Sequence, residues 1–268
     1  MKRLINITPS RSASVALGLL PFLALLIVYI ISSDARLDIN PNDKLLPSFG
    51  QMGDAIQRMA FEPSRRTGEY LFWQDTLSSL KRLGMGVAIA AFLGLTIGML
   101  TGAIPLATSG FSPLLTVISL VPALALLPVL FIVFGLGEVS KVALIVIGIT
   151  PMIAREVQRR TQEIQPEQII KAQTLGASSS QIMFRILLPQ LLPKLIDAVR
   201  LSMGAGWLFL ISAEAIASTD GLGYRIFLVR RYLSMDVILP YVAWITLLAF
   251  ALDFLLRYSS RRLFPWHR

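Results

Sequence analysis

The chain has 268 residues, 54% of them hydrophobic and 15% charged, and its mean hydropathy of +0.67 is too high for a water-soluble domain and typical of a polytopic helical membrane protein. A formal net charge of +9 in such a chain fits cytoplasmic loops and anionic lipid headgroups rather than nucleic acid, and no basic domain interleaved with aromatics is present. With no cysteine and one histidine, His267, the chain can build neither a disulfide framework, a thiolate site nor a histidine metal centre.

In chain order, Lys2, Arg3 and Arg11 precede a charge-free run over residues 12–33. This run reads as an uncleaved first span with a cytoplasmic N-terminus, since no small-residue cleavage pattern precedes Asp34. Residues 34–82 are polar and balanced, with seven basic and seven acidic residues, and read as an external segment. Within it Phe49, Met52, Ile56 and Met59 repeat at helical spacing after Ser48. That predicts a short amphipathic helix, either at the outer membrane interface or packed on the protein's own external face.

Residues 83–137 carry no charge, and a span needs only about 20 residues, so two spans lie there. Pro105, Gly110 and Pro113 place the turn at 104–113 and the helices at 83–103 and 114–134. Gly84, Gly86, Gly94, Gly98 and Gly102 give the first of these a glycine face for close packing. Residues 142–154 are a marginal apolar run. Reading it as a span, lengthened by 135–141 with Lys141 snorkelling, puts the seven basic residues of 155–200 inside. Spans at 201–218 and 237–256 then return Arg257, Arg261, Arg262 and Arg268 to the cytoplasm. The expected fold is all-α, a polytopic membrane protein with six transmembrane helices and both termini cytoplasmic. It divides into 1–33, 34–82 and 83–268. Arg225, Arg230 and Arg231 fall outside, against the positive-inside tendency, and Asp253 with Arg257 reads as a surface ion pair.

Residues 165–193 form a polar, basic insert between apolar runs. A helix opens at Pro166, Gly176 breaks it, Ser178 to Ser180 cap a second helix carrying Ile182, Ile186 and Leu187, and that helix is expected to stop near Pro189. This arrangement resembles the coupling loop of bacterial ABC-importer permeases, whose pattern is Glu-Ala-Ala, three residues, Gly, nine residues, Ile-x-Leu-Pro. Gly176, Ile186, Leu188 and Pro189 fit it. Ile170, Lys171 and Ala172 hold the Glu-Ala-Ala places, so one alanine survives, and Glu167 one turn earlier is a substitute for the glutamate.

Residues 119–141 and 213–226, together with LLPSFGQM and TLSSLKR, resemble permeases for nitrate, taurine, alkanesulfonates and bicarbonate. The resemblance implies a permease of the bacterial inner membrane that binds no cofactor itself. It would pair with a second copy, with two cytoplasmic ABC ATPases that carry the ATP and Mg, and with an external solute-binding protein. It implies an ATPase-coupling role, within a coupling loop at 155–200, for Glu167, Gln168, Ala172, Gly176, Ala177, Ile186, Leu188 and Pro189. Gly221, Gly223 and Tyr224 with Arg225, Arg230 and Arg231 are expected either to dock the binding protein or, for the arginines, to bind lipid headgroups or pair with Asp220 and Asp236. Pro122 and Pro128 are hinges or static kinks, Glu214 a path or gate residue or an interhelical anchor, and Trp207 a path residue or a packed core aromatic.

A secondary transporter is the alternative, although more buried acids and an internal repeat would be expected of one. A membrane enzyme lacks its residues: there is no His-Glu-x-x-His, Gly-x-Ser-x-Gly or cysteine nucleophile. No Walker phosphate loop is present either, so ATP would be hydrolysed by another chain. The expected solute is small and polar: nitrate-, sulfonate- or taurine-like, or, by a weaker resemblance, a nitrogen compound such as urea or guanidine; Glu214 on the path would suit a cation better than an anion.

Overall fold

A computed structural model describes residues 9–41, 43–64 and 68–266; Lys2, Arg3, Arg65, Arg66, His267 and Arg268 lie outside them. The described residues form helices joined by short turns, with no strand among them. α1 (Arg11–Ile39) is capped by the Ser10 hydroxyl, which accepts the Ala13 N–H. At 1.5 Å per residue it is about 44 Å long, more than the roughly 30 Å of hydrocarbon, so its last turns, with Asp34, Arg36 and Asp38, project beyond the apolar layer. The tie of α1 to the rest of the chain is local, through the Tyr29 hydroxyl donating to Pro47 O at 2.6 Å and Ser33 to Leu46 O at 2.9 Å.

α2 (Phe49–Ala60) opens on a reciprocal capping box between Ser48 and Gln51. It rests on α3 and α11 with Ala55 and Ala60 buried, while Phe49 and Ile56 stay exposed. The helix is thus packed on the protein's own surface by one edge, and its other edge is left open.

α3 (Leu71–Ala103) starts twelve residues ahead of the expected span and runs through the expected boundary at residue 82 without a break. The polar stretch before Leu83 is helical because Asp75, Ser79 and Arg82 share one face at i, i+4 and i+7 and find partners on neighbouring helices. Further along, α3 lies beside α6 (Glu138–Gln162), both running in the same direction. A Cβ on Gly86 would sit 2.7 Å from Ile145, on Gly94 2.6 Å from Ile153, on Gly98 2.5 Å from Ala154 O, and on Gly102 2.5 Å from Thr161. The glycine face is thus a close seam, with Ile145 and Ile153 seated on Gly86 and Gly94 and the carbonyls of Ala154 and Gln158 against Gly98 and Gly102. Gly84, expected in it, faces open space.

The turn expected over 104–113 is Ile104 alone. α4 (Pro105–Leu120) follows at once, with Pro105 at its first position where the missing N–H is no loss. The expected single span 114–134 is broken: α4 ends, Val121 and Pro122 are extended, a 3₁₀ turn covers Ala123–Leu126, and α5 (Leu127–Phe134) leaves at 80°. α6 fills the centre, with Ile145, Ile149, Ile153 and Val157 packed against Leu83, Leu191 and Leu210. Lys141 does not snorkel: it is buried, its Nζ donating to Glu138 at 2.8 Å and Ser218 at 3.1 Å.

After α7 (Pro166–Thr174) and α8 (Ser179–Ile182), a π turn at Met183–Leu187 leads into α9 (Leu188–Ala217). The expected stop near Pro189 does not occur. In the π turn the Leu188 N–H reaches back five residues to Met183 O, a widened register that relieves the proline ring's clash with the preceding turn. α10 (Leu222–Arg230) and α11 (Met235–Leu263) complete the chain.

By length and apolarity the described residues give four spans (α1, α3, α8–α9 and α11), or five with the bent α4–α5 pair taken as one, against the six expected. The shortfall is α6, whose 25 residues include Glu138, Lys141, Arg155, Glu156, Arg159 and Arg160.

Candidate functional site

The turn between α9 and α10 is built around Gly221, at φ +117°, where a Cβ would lie 2.5 Å from the Glu214 carboxyl carbon. The three N–H groups that open α10 have no partners within their own helix, and three side chains from α3 and α9 take them. Gly221 donates to Asp75 at 2.9 Å, Leu222 to Ser79 at 2.8 Å and Gly223 to Glu214 at 2.9 Å. Two of these acceptors are carboxylates at the positive end of the helix dipole. The Asp75 carboxylate also accepts from Arg225 Nε at 2.7 Å and from the Tyr241 hydroxyl at 3.1 Å.

Arg82 is the hub. Its Nη1 donates to Glu214 at 2.8 Å and Asp220 O at 3.0 Å, Nη2 to Asp220 at 2.5 Å and Glu138 at 2.8 Å, and Nε to Glu138 at 2.5 Å. Its side chain is 4% exposed and that of Glu214 0%. Buried charges persist only when paired and hydrogen-bonded, and here one guanidinium binds three carboxylates from α6, α9 and the α9–α10 turn. Burial pushes Asp220 up, but bonds from Arg82 and Ser78 outweigh it and hold its carboxyl below the usual 3.8.

These contacts revise several sequence expectations. Glu214 is an interhelical anchor whose acceptors face Ser79, Arg82 and Gly223 rather than a path. Trp207 is a core aromatic, 5% exposed. Gly221 and Gly223 are buried, and a Cβ on Gly223 would meet Ile211 O at 2.7 Å. Arg225 pairs with Asp75 instead of Asp220 or Asp236, and its guanidinium lies 5.7 Å from the half-buried Tyr224 ring. Arg230, over the Phe227 ring at 5.0 Å, and Arg231 remain exposed, while Asp236 faces Arg58 at 3.7 Å. Asp253 binds Arg200 at 2.8 Å across helices as well as Arg257 at 3.2 Å. Asp75, Ser79, Arg82 and Glu138 have no site role in the sequence reading, and Lys141 has only that of a snorkelling residue. The i, i+4, i+7 spacing of the first three, running straight into an apolar helix, is the signal that finds them.

At the opposite end of α6, residues 163–187 form a knob. α7 ends in a Schellman motif: Gly176, at φ +80°, donates to Gln173 O at 2.9 Å, and Ala177 donates to Ala172 O at 3.0 Å. Ser178 and Gln181 then form a capping box for α8. Ala172 is buried, Ala177, Ile186 and Leu188 pack against the core, and Gln168 accepts from Gln190 at 3.0 Å, tying α7 to α9 beside Pro189. Glu167 lies exposed in the first turn of α7. Three large apolar side chains point away from the protein: Ile170, Leu175 and Phe184 are 57%, 79% and 63% exposed.

Pro122 stands at the 80° break, and Pro128 at the start of α5 where its missing N–H disrupts nothing, so neither kinks a continuous helix. A 340 Å³ cavity lies inside the bend, against Gly148, Pro151 and Phe209. Among the described residues no cluster of His, Cys, Asp and Glu is placed to hold a metal.

Residues 94–265 match the family of binding-protein-dependent transport system inner membrane components. The chain belongs to this family. It is therefore a membrane-embedded importer permease, and its relatives are permeases of the same kind. The taurine transport system permease protein TauC of Escherichia coli is 36% identical over 195 residues, covering 73% of this chain and 71% of that protein. The putative aliphatic sulfonates transport permease protein SsuC of Bacillus subtilis is 29% identical over 188 residues, 70% of this chain and 68% of that one. The bicarbonate transport system permease protein CmpB of Synechocystis is 29% identical over 198 residues, 73% and 70% of the two chains. The permease fold also superposes on a chain of the MetNI methionine ABC transporter in an inward-facing conformation, with a TM-score of 0.62 at 20% identity, covering 75% of this chain and 97% of that one.

Proposed function

We propose that two copies of this permease, with two cytoplasmic ATPases that bind ATP and Mg and an external solute-binding protein, form an importer for a small solute bearing a sulfonate or comparable anionic group. The observation that carries the reading is the knob. Its α7 and α8 are joined through the Gly176 turn, and it exposes Ile170, Leu175 and Phe184 in an otherwise polar loop. Exposed apolar groups with a polar rim mark an interaction surface, and an ATPase dock accounts for these. Glu167, Gln168, Ala172, Gly176, Ala177, Ile186, Leu188 and Pro189 shape and support that dock.

In this reading α1, α3, α4–α5, α6, α9 and α11 are the six spans and both termini are cytoplasmic. α6 crosses despite its charges because its two ends, at Glu138 and Gln162, lie level with the outer cluster and the knob. The Pro122 and Pro128 segment is the part of the path that bends. Arg230 and Arg231 are left to meet the binding protein, Arg225 being paired internally. The solute class follows the taurine and sulfonate relatives; the argument for a cation lapses because Glu214 is fully buried with its oxygens taken by Ser79, Arg82 and Gly223. Reconstituted with the ATPase and binding protein in vesicles, the permease should take up radiolabelled taurine only with ATP on the ATPase side, and collapse of proton and sodium gradients should leave uptake unchanged. Uptake driven by either gradient without ATP would make it a secondary transporter.

A further inference from the structure

Between α4 and α6, on the knob side of the Pro122 break, lies a polar cleft of about 760 Å³. In an apolar helix, α4 turns Thr108, Ser112, Thr116 and Ser119 toward it at three- and four-residue steps, so that one face is hydroxylated. α6 supplies Arg155 and Gln158 opposite. Gln158 Nε2 donates to Ser112 Oγ at 2.5 Å and Arg155 Nη1 to Ser119 Oγ at 2.9 Å.

The charges beside the cleft do not cancel. Glu156 accepts from Arg159 at 2.9 Å and Arg160 at 2.8 Å, and Glu163 accepts from Arg160 at 3.1 Å. Three arginines thus stand against two glutamates. The residual charge belongs to Arg155, which has no carboxylate within ion-pair distance among the described residues and rests on a neutral hydroxyl. A guanidinium can grip an oxyanion through two parallel charge-assisted bonds, where the Ser119 hydroxyl offers it one uncharged acceptor, so a solute oxyanion entering the cleft would displace Ser119 from Arg155.

We infer that this cleft is an oxyanion-binding station on the solute's route, with Arg155 as the receiving charge and the Ser119, Thr116 and Ser112 hydroxyls around it. The inference rests on the importer reading above and adds to it a site, near the cytoplasmic end, that recognises the sulfonate, carboxylate or similar planar or tetrahedral anionic group. A lipid phosphate offers the same chemistry, and the test separates the two.

The cysteine-free chain allows a clean probe. Met152→Cys places a thiol in the cleft of the complete transporter, held in phosphatidylcholine nanodiscs. Labelling rates are compared for the anionic sulfonatoethyl and the cationic trimethylammonium methanethiosulfonates. The anionic reagent should react faster by roughly tenfold, the effect of one nearby unit charge in a partly screened site. Arg155→Gln should erase that preference and Arg155→Lys keep part of it, and methanesulfonate should slow labelling only where the charge is present. Equal preference with and without Arg155, no protection by methanesulfonate, or a thiol that neither reagent reaches would each overturn the station. So would a preference that vanishes when phosphatidylglycerol replaces phosphatidylcholine, since the ligand would then be a headgroup. ATP hydrolysis stimulated by the taurine-loaded binding protein in the same discs reports on the importer reading separately. If it persists while the anion preference is absent, only this site fails.

Discussion

Arg82 and Glu214 show how much a single buried pair can organise. With Arg82 gone, Glu214 is a carboxylate at zero exposure whose remaining partners are a hydroxyl and an N–H. Breaking such a pair costs about 3–5 kcal/mol. Arg82→Met should accordingly lower the melting temperature of the detergent-solubilised permease sharply, and adding Glu214→Leu should recover much of the loss. A single substitution that melts like the parent would mean the pair carries no such weight. Asp220, in the turn outside the spans, adds a pH signature. Its folded pKa is depressed, so its contribution to stability is present above 3.8 and is lost as pH falls through the lower folded value. The stability advantage of the parent over Asp220→Asn should therefore be constant near neutrality and shrink below about pH 4, as followed by thermal unfolding across pH. From sequence, Glu214 was conspicuous as an acid within an apolar run. Arg82 was hidden because the segment before it balances its charges, and only the folded partners distinguish a buried arginine from a solvated one.

At the scale of elements, the knob was legible because glycine, serine and proline mark turns by their own backbone chemistry. Gly176 sits at φ +80°, where any residue with a Cβ is strained although no atom crowds it. Gly176→Val should thus leave insertion intact and reduce both co-purification of the ATPase and its stimulated hydrolysis, by several-fold or more; unchanged values would remove the knob from the coupling role. The continuation of α9 past Pro189 was not legible, because a π turn leaves no compositional trace. Nor was the start of α3: hydropathy finds where a helix turns apolar, and twelve residues of the same helix precede that point. The α4–α5 break is intermediate, since both prolines were flagged and only the structure turns one of them into an 80° corner.

For the whole molecule, the proposed topology places the Arg82 cluster outside and the knob inside. Because the chain has no cysteine, single thiols can report this directly. Glu62→Cys should react with an impermeant maleimide applied to intact cells, and Gln173→Cys only after the membrane is opened. Reaction at Gln173 from outside would invert the arrangement and remove the ATPase contact. The all-α class and the membrane setting could be read from composition, whereas the charge cluster joining α3, α6, α9 and α10 required the fold, because its members are separated by as many as 150 positions, as from Asp75 to Arg225.

The seam between α3 and α6 has a mechanical consequence. With the Ile145 and Ile153 side chains seated on the backbone at Gly86 and Gly94, and the carbonyls of Ala154 and Gln158 close against Gly98 and Gly102, the two helices are in close contact along the seam and would move together as one bar of about 37 Å, the length of α6. The bar joins the outer cluster at Glu138 to the knob just past Gln162. A tilt of about 10° around its midpoint, started by a push at the knob, would swing each end by roughly 3 Å at that length, enough to part hydrogen bonds at the far side. Spin labels on Ile89 of α3 and Ile147 of α6 should then keep one distance through the ATP cycle, while Ile89 and Ile132, on the far side of the Pro122 corner, should not. The glycines would thus serve as the rivets of a lever, carrying a force across the membrane without carrying a ligand.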